Sequence, residues 1–371
     1  MKTNLLSLLL IFSVVLFSCK KDKIVPKVTP PPKPTTTKEV KNPFKGTVFE
    51  NYESNKDYSS FLSLASKSEI SPELLKLKNN YTLMLPDNKA VDAYLKDKKL
   101  ALDKISKEQA LAIIQYHIIP SKLDKDQFVA KYKYEAYKNT DGKFHYHSSY
   151  HQTMLSSSFG AKLSLFVFGE QKWTDKAKGK VFINSTFEQD KEIEKFFKGE
   201  PENKLPVIEV LDFDKTEVKA NSAIVYKISN VLIPLNIRQF FVVDRINNSD
   251  MIKNYIGDEI NKNLKGKKNI TVFIPQRRSG DRYSILQLFK LVGSAKNIFQ
   301  YLSLNQPLEF SKLGNSAVTN FNGEKLIFDT KKDEITDSNN LKTKVIIKDI
   351  VSTDGVCHYI DDILAPKGLG I

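Results

Sequence analysis

Residues 144–151 read Phe-His-Tyr-His-Ser-Ser-Tyr-His and hold three of the chain's five histidines, His145, His147 and His151. Imidazoles at such short spacing are where a Zn²⁺ or Cu²⁺ site would be sought. On a strand His145 and His147 point to one side; on a helix His147 and His151 are neighbours one turn apart. A hydrolytic metal site also needs a base beside the metal. No Glu stands between these histidines, and the nearest carboxylate is Asp141. The expectation is therefore that they hold no metal and that the chain carries no cofactor. A metal-dependent enzyme built on this cluster is the rival reading.

Other catalytic signatures are absent from the sequence: no Gly-rich phosphate loop, no G-x-S-x-G elbow, no C-x-x-C pair and no Asp-x-Asp-x-Asp-Gly calcium loop. The chain is read as a non-enzyme. Arg277, Arg278 and Arg282 form one cationic stretch that could hold a carboxylate or phosphate. The net charge of +14 invites a nucleic-acid reading, but only five of the 57 basic residues are Arg, and the Lys are scattered among 43 acids. Recognition of phosphates and bases favours the planar Arg fork, clustered on a face. No nucleic-acid partner is expected. Cys357 sits in an apolar run and reads as a small buried hydrophobe.

Aromatic side chains offer a different chemistry, since exposed rings stack on sugars and peptides. Tyr146, Tyr150 and Trp173, the one Trp, fall in a stretch that looks inserted, and long loops on rigid scaffolds often carry function. Residues 163–169, LSLFVFG, alternate as a buried strand does, which accounts for Phe166 and Phe168.

The elements that must position these residues are written twice. Tyr81-Thr-Leu-Met-Leu-Pro86 matches Ile270-Thr-Val-Phe-Ile-Pro275, each a buried-type strand ended by Pro. Ile113-Ile-Gln-Tyr-His-Ile-Ile119 matches Ile298-Phe-Gln-Tyr-Leu-Ser-Leu304. Asn221-Ser-Ala-Ile-Val-Tyr-Lys-Ile-Ser-Asn-Val-Leu-Ile-Pro234 shares its apolar beat with Thr353–Pro366. Three landmarks in one order mark a repeat. From first to last proline the first copy is about 57 residues longer than the second.

Within each copy the order reads helix, strand, helices, then strands. Residues 57–66 place Phe61, Leu62, Leu64 and Ala65 along one helical side, with Asp57 or Ser59 able to cap. Residues 106–119 open with a Ser-x-x-Gln capping box and run Ala110, Ile113, Ile114, His117 at helical spacing. Asp354-Gly355, like Asn221-Ser222 in copy one, reads as a tight turn of the kind that can call for a positive φ. His117 and His358 read most simply as polar groups at core edges, bonded to backbone.

These landmarks resemble the fasciclin domain: its Thr-Val-Phe-Ala-Pro-type strand, its helix ending Tyr-His, and its closing Asn-Gly-Val-Val-His-x-Ile-Asp-x-Val-Leu-x-Pro. Tyr116-His117 carries the second motif and Tyr301-Leu302 half of it; His358 and Asp361 carry the third, where copy one has Tyr226 and Ser229. The resemblance implies an α+β fold of two tandem fasciclin-like domains, each a small β-sandwich or wedge with packed helices, over 44–235 and 236–367. The first carries an insertion at about 138–200. Contact with protein or glycan ligands is implied too, and the family's contact surface near the Tyr-His helix makes Tyr116 and His117 candidates beside Tyr146, Tyr150 and Trp173. Each copy holds a full set of core segments, so a cut near Leu235–Arg238 is expected to leave two folded halves.

The first nineteen residues read as an address. An apolar run from Leu5 to Phe17 follows one Lys and ends Leu16-Phe17-Ser18-Cys19. It is too short to span a membrane and suits a signal core. The ending resembles the bacterial lipobox, which implies cleavage after residue 18 and acylation of Cys19, palmitate-type chains anchoring the protein. Lys20-Lys21-Asp22 resembles the surface-export signals of Bacteroidetes lipoproteins. Residues 19–43 are then anchor and linker, rich in Pro and Lys and too poor in bulky apolar side chains to make a core. As polyproline II such a tether reaches roughly 60–70 Å. The expected protein is a cell-envelope lipoprotein, held on the outer membrane and surface-exposed, acting as a tandem-repeat adhesion module. By analogy its place is beside an outer-membrane nutrient transporter. A purely structural spacer is the third reading.

Overall fold

The computed structural model describes residues 44–71, 80–124, 127–128, 132–133, 144–172, 180–185, 197, 199–200, 205–218, 221–244, 262–276 and 295–367. The signal-like segment, the stalk, Trp173 and Arg277, Arg278 and Arg282 lie outside the described residues.

Copy one opens with α1 (Ser59–Ser68), whose Phe61, Leu62, Leu64 and Ala65 are buried along the side the sequence marks. Its first turn is capped from outside: Asn88 Oδ1 accepts from Ser60 N at 2.9 Å. That Asn begins α2 (Asn88–Lys98), itself capped by Asp87. In α3 (Lys107–Tyr116) the Ser106–Gln109 capping box forms as the sequence predicts. Copy two supplies α4 (Ile237–Val243), closed by a second capping box between Asn236 and Gln239, and α5 (Ala295–Tyr301).

Strands β1 (Tyr81–Pro86) and β9 (Ile270–Pro275) are buried at every position, which is why each is a near-continuous apolar run broken only by one Thr rather than alternating. Each pairs antiparallel with a two-residue strand after the helix, β2 (Ile118–Ile119) or β10 (Ser303–Leu304). On its other side each pairs in parallel with the closing strand, β8 (Asn221–Ile228) or β15 (Gly355–Ile360), in the same register: Tyr81 opposite Ala223, Ile270 opposite Gly355.

The remaining strands are β3 (Tyr132–Lys133), β4 (Phe144–Ser156), β5 (Lys162–Lys172), β6 (Val181–Ile183) and β7 (Val210–Val218) in copy one. Copy two has β11 (Ser316–Thr319), β12 (Lys325–Asp329), β13 (Glu334–Thr336) and β14 (Lys342–Val351). Copy two is one sheet in the order β10-β9-β15-β14-β13-β12-β11. Copy one divides into β2-β1-β8-β7 and β3-β4-β5-β6, joined among the described residues by a bridge between Phe182 and Glu209. Followed through that bridge, the strand order is the same, with β3 added. The extra length therefore lies partly in a stretched hairpin: β4 and β5 have 13 and 11 residues where β11 and β12 have 4 and 5.

That hairpin is buried on both faces. Leu163, Leu165 and Val167 join Tyr116, Phe128 and Tyr226 of copy one in one apolar cluster. Tyr150, Phe166 and Phe168 turn the other way and join Ile237, Phe240, Phe241 and Tyr359 of copy two. Ser164 Oγ accepts from Val351 N at 2.9 Å. A second contact between the copies is polar: Glu200 meets Arg238 of α4 at 2.8 Å, with both side chains largely buried. Full burial of each such aromatic contributes about 1.5–3 kcal/mol. The two copies thus share a core, and the expectation of halves that stand alone does not fit this packing.

Gly355 corrects another expectation. Its φ is not positive; a Cβ there would fall 2.2 Å from the Ile270 carbonyl oxygen and 2.7 Å from Ile237 Cδ1. Close approach of two backbones, rather than a left-handed turn, demands the glycine. The neighbouring Asp354 accepts from Ile237 N at 2.8 Å, which ties the closing turn of copy two to the start of α4.

Candidate functional site

The histidine cluster lies on β4, whose two-residue period puts 145, 147, 149 and 151 on one face. The backbone register sets His145 opposite Gln171 and His147 opposite Gly169; the side chains of His145, Tyr146 and His147 lie outside the described residues. His151 is inside the fold. Its ring stacks on Phe128 at 5.5 Å, and Nε2 lies 2.9 Å from both Ser149 Oγ and the Phe128 carbonyl. That face of β4 looks into copy one, so His151 is committed to the core. Among the described residues no group of three His, Cys, Asp or Glu could hold a metal ion.

Tyr150, expected as a stacking contact, is on the opposite face and is buried as well. Its hydroxyl donates to Asp244, and its ring packs 6.0 Å from Phe240. Burial, and next the Asp244 carboxylate, push the phenol pKa well up, so it stays a donor. Tyr150 fastens the copies together and presents nothing to a ligand. Alternation alone could not distinguish these outcomes, since both faces of the hairpin are covered.

The Tyr116-His117 pair is equally interior. Tyr116 Oη donates to the Ser164 carbonyl at 3.0 Å and accepts from Asn184 Nδ2 at 2.8 Å. His117 Nε2 accepts from Leu232 N at 3.0 Å, which makes Nδ1 the donor to the Ile113 carbonyl at 2.7 Å. Burial pushes its pKa down to about 4, the Ile113 bond opposing only in part. These two residues join the end of α3 to β5 and to the segment closing copy one. A contact surface near this helix has to use other side chains.

Asn184 is the residue whose importance the sequence conceals. It holds a left-handed backbone at φ 51°, a conformation Asn tolerates better than most. Its Oδ1 accepts from Phe166 N, and its Nδ2 donates to Tyr116 Oη and to the Ile233 carbonyl. The available signal was an Asn directly after the short apolar run Val181-Phe182-Ile183.

A second shared device explains the Thr of each landmark strand. Thr82 Oγ1 donates to the Ser121 carbonyl and accepts from Leu123 N; Thr271 Oγ1 does the same with Gln306 and Leu308. The closing strand then reaches that loop with a different side chain in each copy. Tyr226 Oη donates to the Leu123 carbonyl at 3.1 Å, while His358 Nε2 bonds the Leu308 carbonyl at 2.9 Å. The motif departure at Tyr226 therefore preserves the bond. Both His358 ring nitrogens are engaged by backbone, since Nδ1 accepts from Asp349 N at 3.1 Å. Cys357 is buried beside it, as its apolar surroundings imply.

The fasciclin domain profile matches residues 56–234 and again 249–366. The chain belongs to the fasciclin family. Its members are in general non-enzymatic adhesion and binding modules, and this chain carries two of the domains in tandem. One similar protein is mouse Stabilin-2 (Mus musculus), 35% identical over 109 residues. That stretch is 29% of this chain and 4% of Stabilin-2, so this fasciclin pair spans a small fraction of that relative's length. Among solved structures, a FAS1 domain pair from the insect cell adhesion molecule Fasciclin I is similar at 14% identity and a TM-score of 0.39, with 87% of this chain and 98% of that one covered.

Proposed function

We propose that this protein is a lipid-anchored, non-catalytic binding module of the cell envelope. Its fasciclin pair is presented on a Pro- and Lys-rich stalk to a protein or glycan ligand. The carrying observation is where the chemically capable side chains are spent. Tyr116, His117, Tyr150, His151, Cys357 and His358 are all buried in the fold, so among the described residues these groups serve the backbone and core. Membership of an adhesion family supports the same reading. With Tyr116, His117 and Tyr150 interior, the ligand candidates left from the sequence are Tyr146 and Trp173. Backbone register places 146 opposite 170, and Trp173 follows directly on the end of β5. The open end of the long hairpin is the proposed contact.

A glycan and peptide array probed with the 44–371 fragment tests the reading, followed by Trp173→Ala against any ligand found. Truncating a stacking aromatic should weaken binding about tenfold or more. Unchanged affinity places the site elsewhere. The anchor is tested separately. Cys19→Ala should release the protein from membranes or block its processing; a processed variant that still fractionates with membrane overturns the lipoprotein.

A further inference from the structure

His358 sits in an arrangement with a second state available to it. The ring is enclosed by Phe273 of β9 at 5.5 Å and Phe310 at 6.0 Å. Nδ1 accepts the Asp349 amide, and Nε2–H donates to the Leu308 carbonyl. The Asp349 carboxylate is 4.0 Å from Nδ1 but is engaged elsewhere: it caps the 3-10 turn Phe310–Lys312 by accepting from Phe310 N and Ser311 N. Asp349 occupies a bulge in β14 with φ at 61°, a left-handed conformation that Asp tolerates better than most residues but still at some cost. The bulge is held from the other copy as well. Ser164 of β5 donates to the Asp349 carbonyl and accepts from Val351 N.

We propose that His358, Asp349 and the turn Phe310–Lys312 form an acid-operated switch. On acidification it frees the loop at 308–313 and loosens the Ser164 contact between the copies. The chemistry is one proton. Nδ1 gains it, an acceptor becomes a donor, and the Asp349 N–H it faced loses its partner. The new N–H finds its nearest anion in the Asp349 carboxylate, and a charge-assisted bond there is stronger than the neutral bonds of the cap. To make it, the carboxylate leaves Phe310 N and Ser311 N. The turn then loses the acceptor that satisfied its first amides.

The charged groups around the ring are few. Asp349 faces it from β14 and Glu309 from the start of the turn; Glu309 is paired with Lys312 at 2.5 Å, and Lys348 with Asp333 at 2.7 Å. Phe273 and Phe310 bring no charge. Burial holds the imidazole below its ordinary value, and the two carboxylates oppose this. The ring is therefore neutral at neutral pH, and the cap is intact there. Copy one has no counterpart, because Tyr226 fills the equivalent place and does not gain a proton in acid.

Hydrogen exchange of the Phe310 and Ser311 amides in the full chain, corrected for the intrinsic pH dependence of exchange, reads the cap directly. Between pH 7 and about pH 4.5 their protection should fall about tenfold or more, while His358→Gln, which keeps a donor and an acceptor and stays neutral, should hold it constant. Equal protection at both pH values in the unmodified chain overturns the switch, as does an equal loss in the variant. Should the Gln variant fail to fold, labelled-histidine NMR of the unmodified chain decides. Protonation of His358 with a coincident shift of the Phe310 amide supports the proposal, and protonation without it overturns it.

Discussion

Gly355 is where two backbones meet most closely, and its replacement is the sharpest residue-level test. The equivalent place in copy one is Ala223, so a methyl group is accommodated at that register position in the first copy. In copy two Gly355→Ala drives a methyl into the Ile270 carbonyl; a loss on the order of 3 kcal/mol is expected, read by denaturant unfolding. An unchanged midpoint would mean that β9 and β15 separate at no cost. His117 gives a pH signature of its own. Unfolded, it takes a proton below its ordinary value of 6.5; folded, it does so only near 4. Stability is therefore lost as pH falls from about 6.5 to about 4 and levels off beneath, by an amount on the order of 3 kcal/mol. Carboxylates titrate in the same range, so the measurement is the difference between parent and His117→Gln across that window. The variant's curve should be flatter by that amount.

Among elements the β4–β5 hairpin decides most, because it has no solvent face over its middle. Phe166→Ala should cost about 3–5 kcal/mol in urea unfolding, the range for an aromatic removed from a closed core. The Glu200–Arg238 contact, made between copies, is the polar counterpart. Glu200→Ala takes the anion from a largely buried guanidinium and should destabilise by about 1–3 kcal/mol, whereas a conserved midpoint would show that solvent and the Phe197 ring suffice. The strands and caps of this region were legible: alternation in 163–169 set Leu163, Leu165 and Val167 against Phe166 and Phe168, and the Ser106–Gln109 box formed where spacing put it. The repeat itself was legible, since identical strand neighbours leave the same apolar beat in both copies. What each face meets was not. Tyr150 bonds Asp244 from 94 positions away, and no periodicity records such a partner. For the same reason Asn184 reads as a loop residue until its three partners are in view, and Gly355 reads as a turn until the opposing carbonyl is seen.

For the molecule as a whole, the shared hairpin makes residues 44–367 one cooperative body. Expressed apart, 44–235 exposes Tyr150, Phe166 and Phe168, and 236–371 exposes Phe240 and Phe241. Neither half should give a sharp calorimetric transition, whereas the intact chain should unfold in a single one. Two well-folded halves would show that the seam is incidental. Beads on a string lengthen bead by bead when an adhesive tether is pulled, each rupture relieving the load on the rest. A pair welded through a common layer has no such reserve. Pulled from its two ends, as the proposed anchor and ligand would pull it, this one should stay stiff up to a single rupture and then give way along its whole length, so that single-molecule traces would carry one long step in place of two short ones.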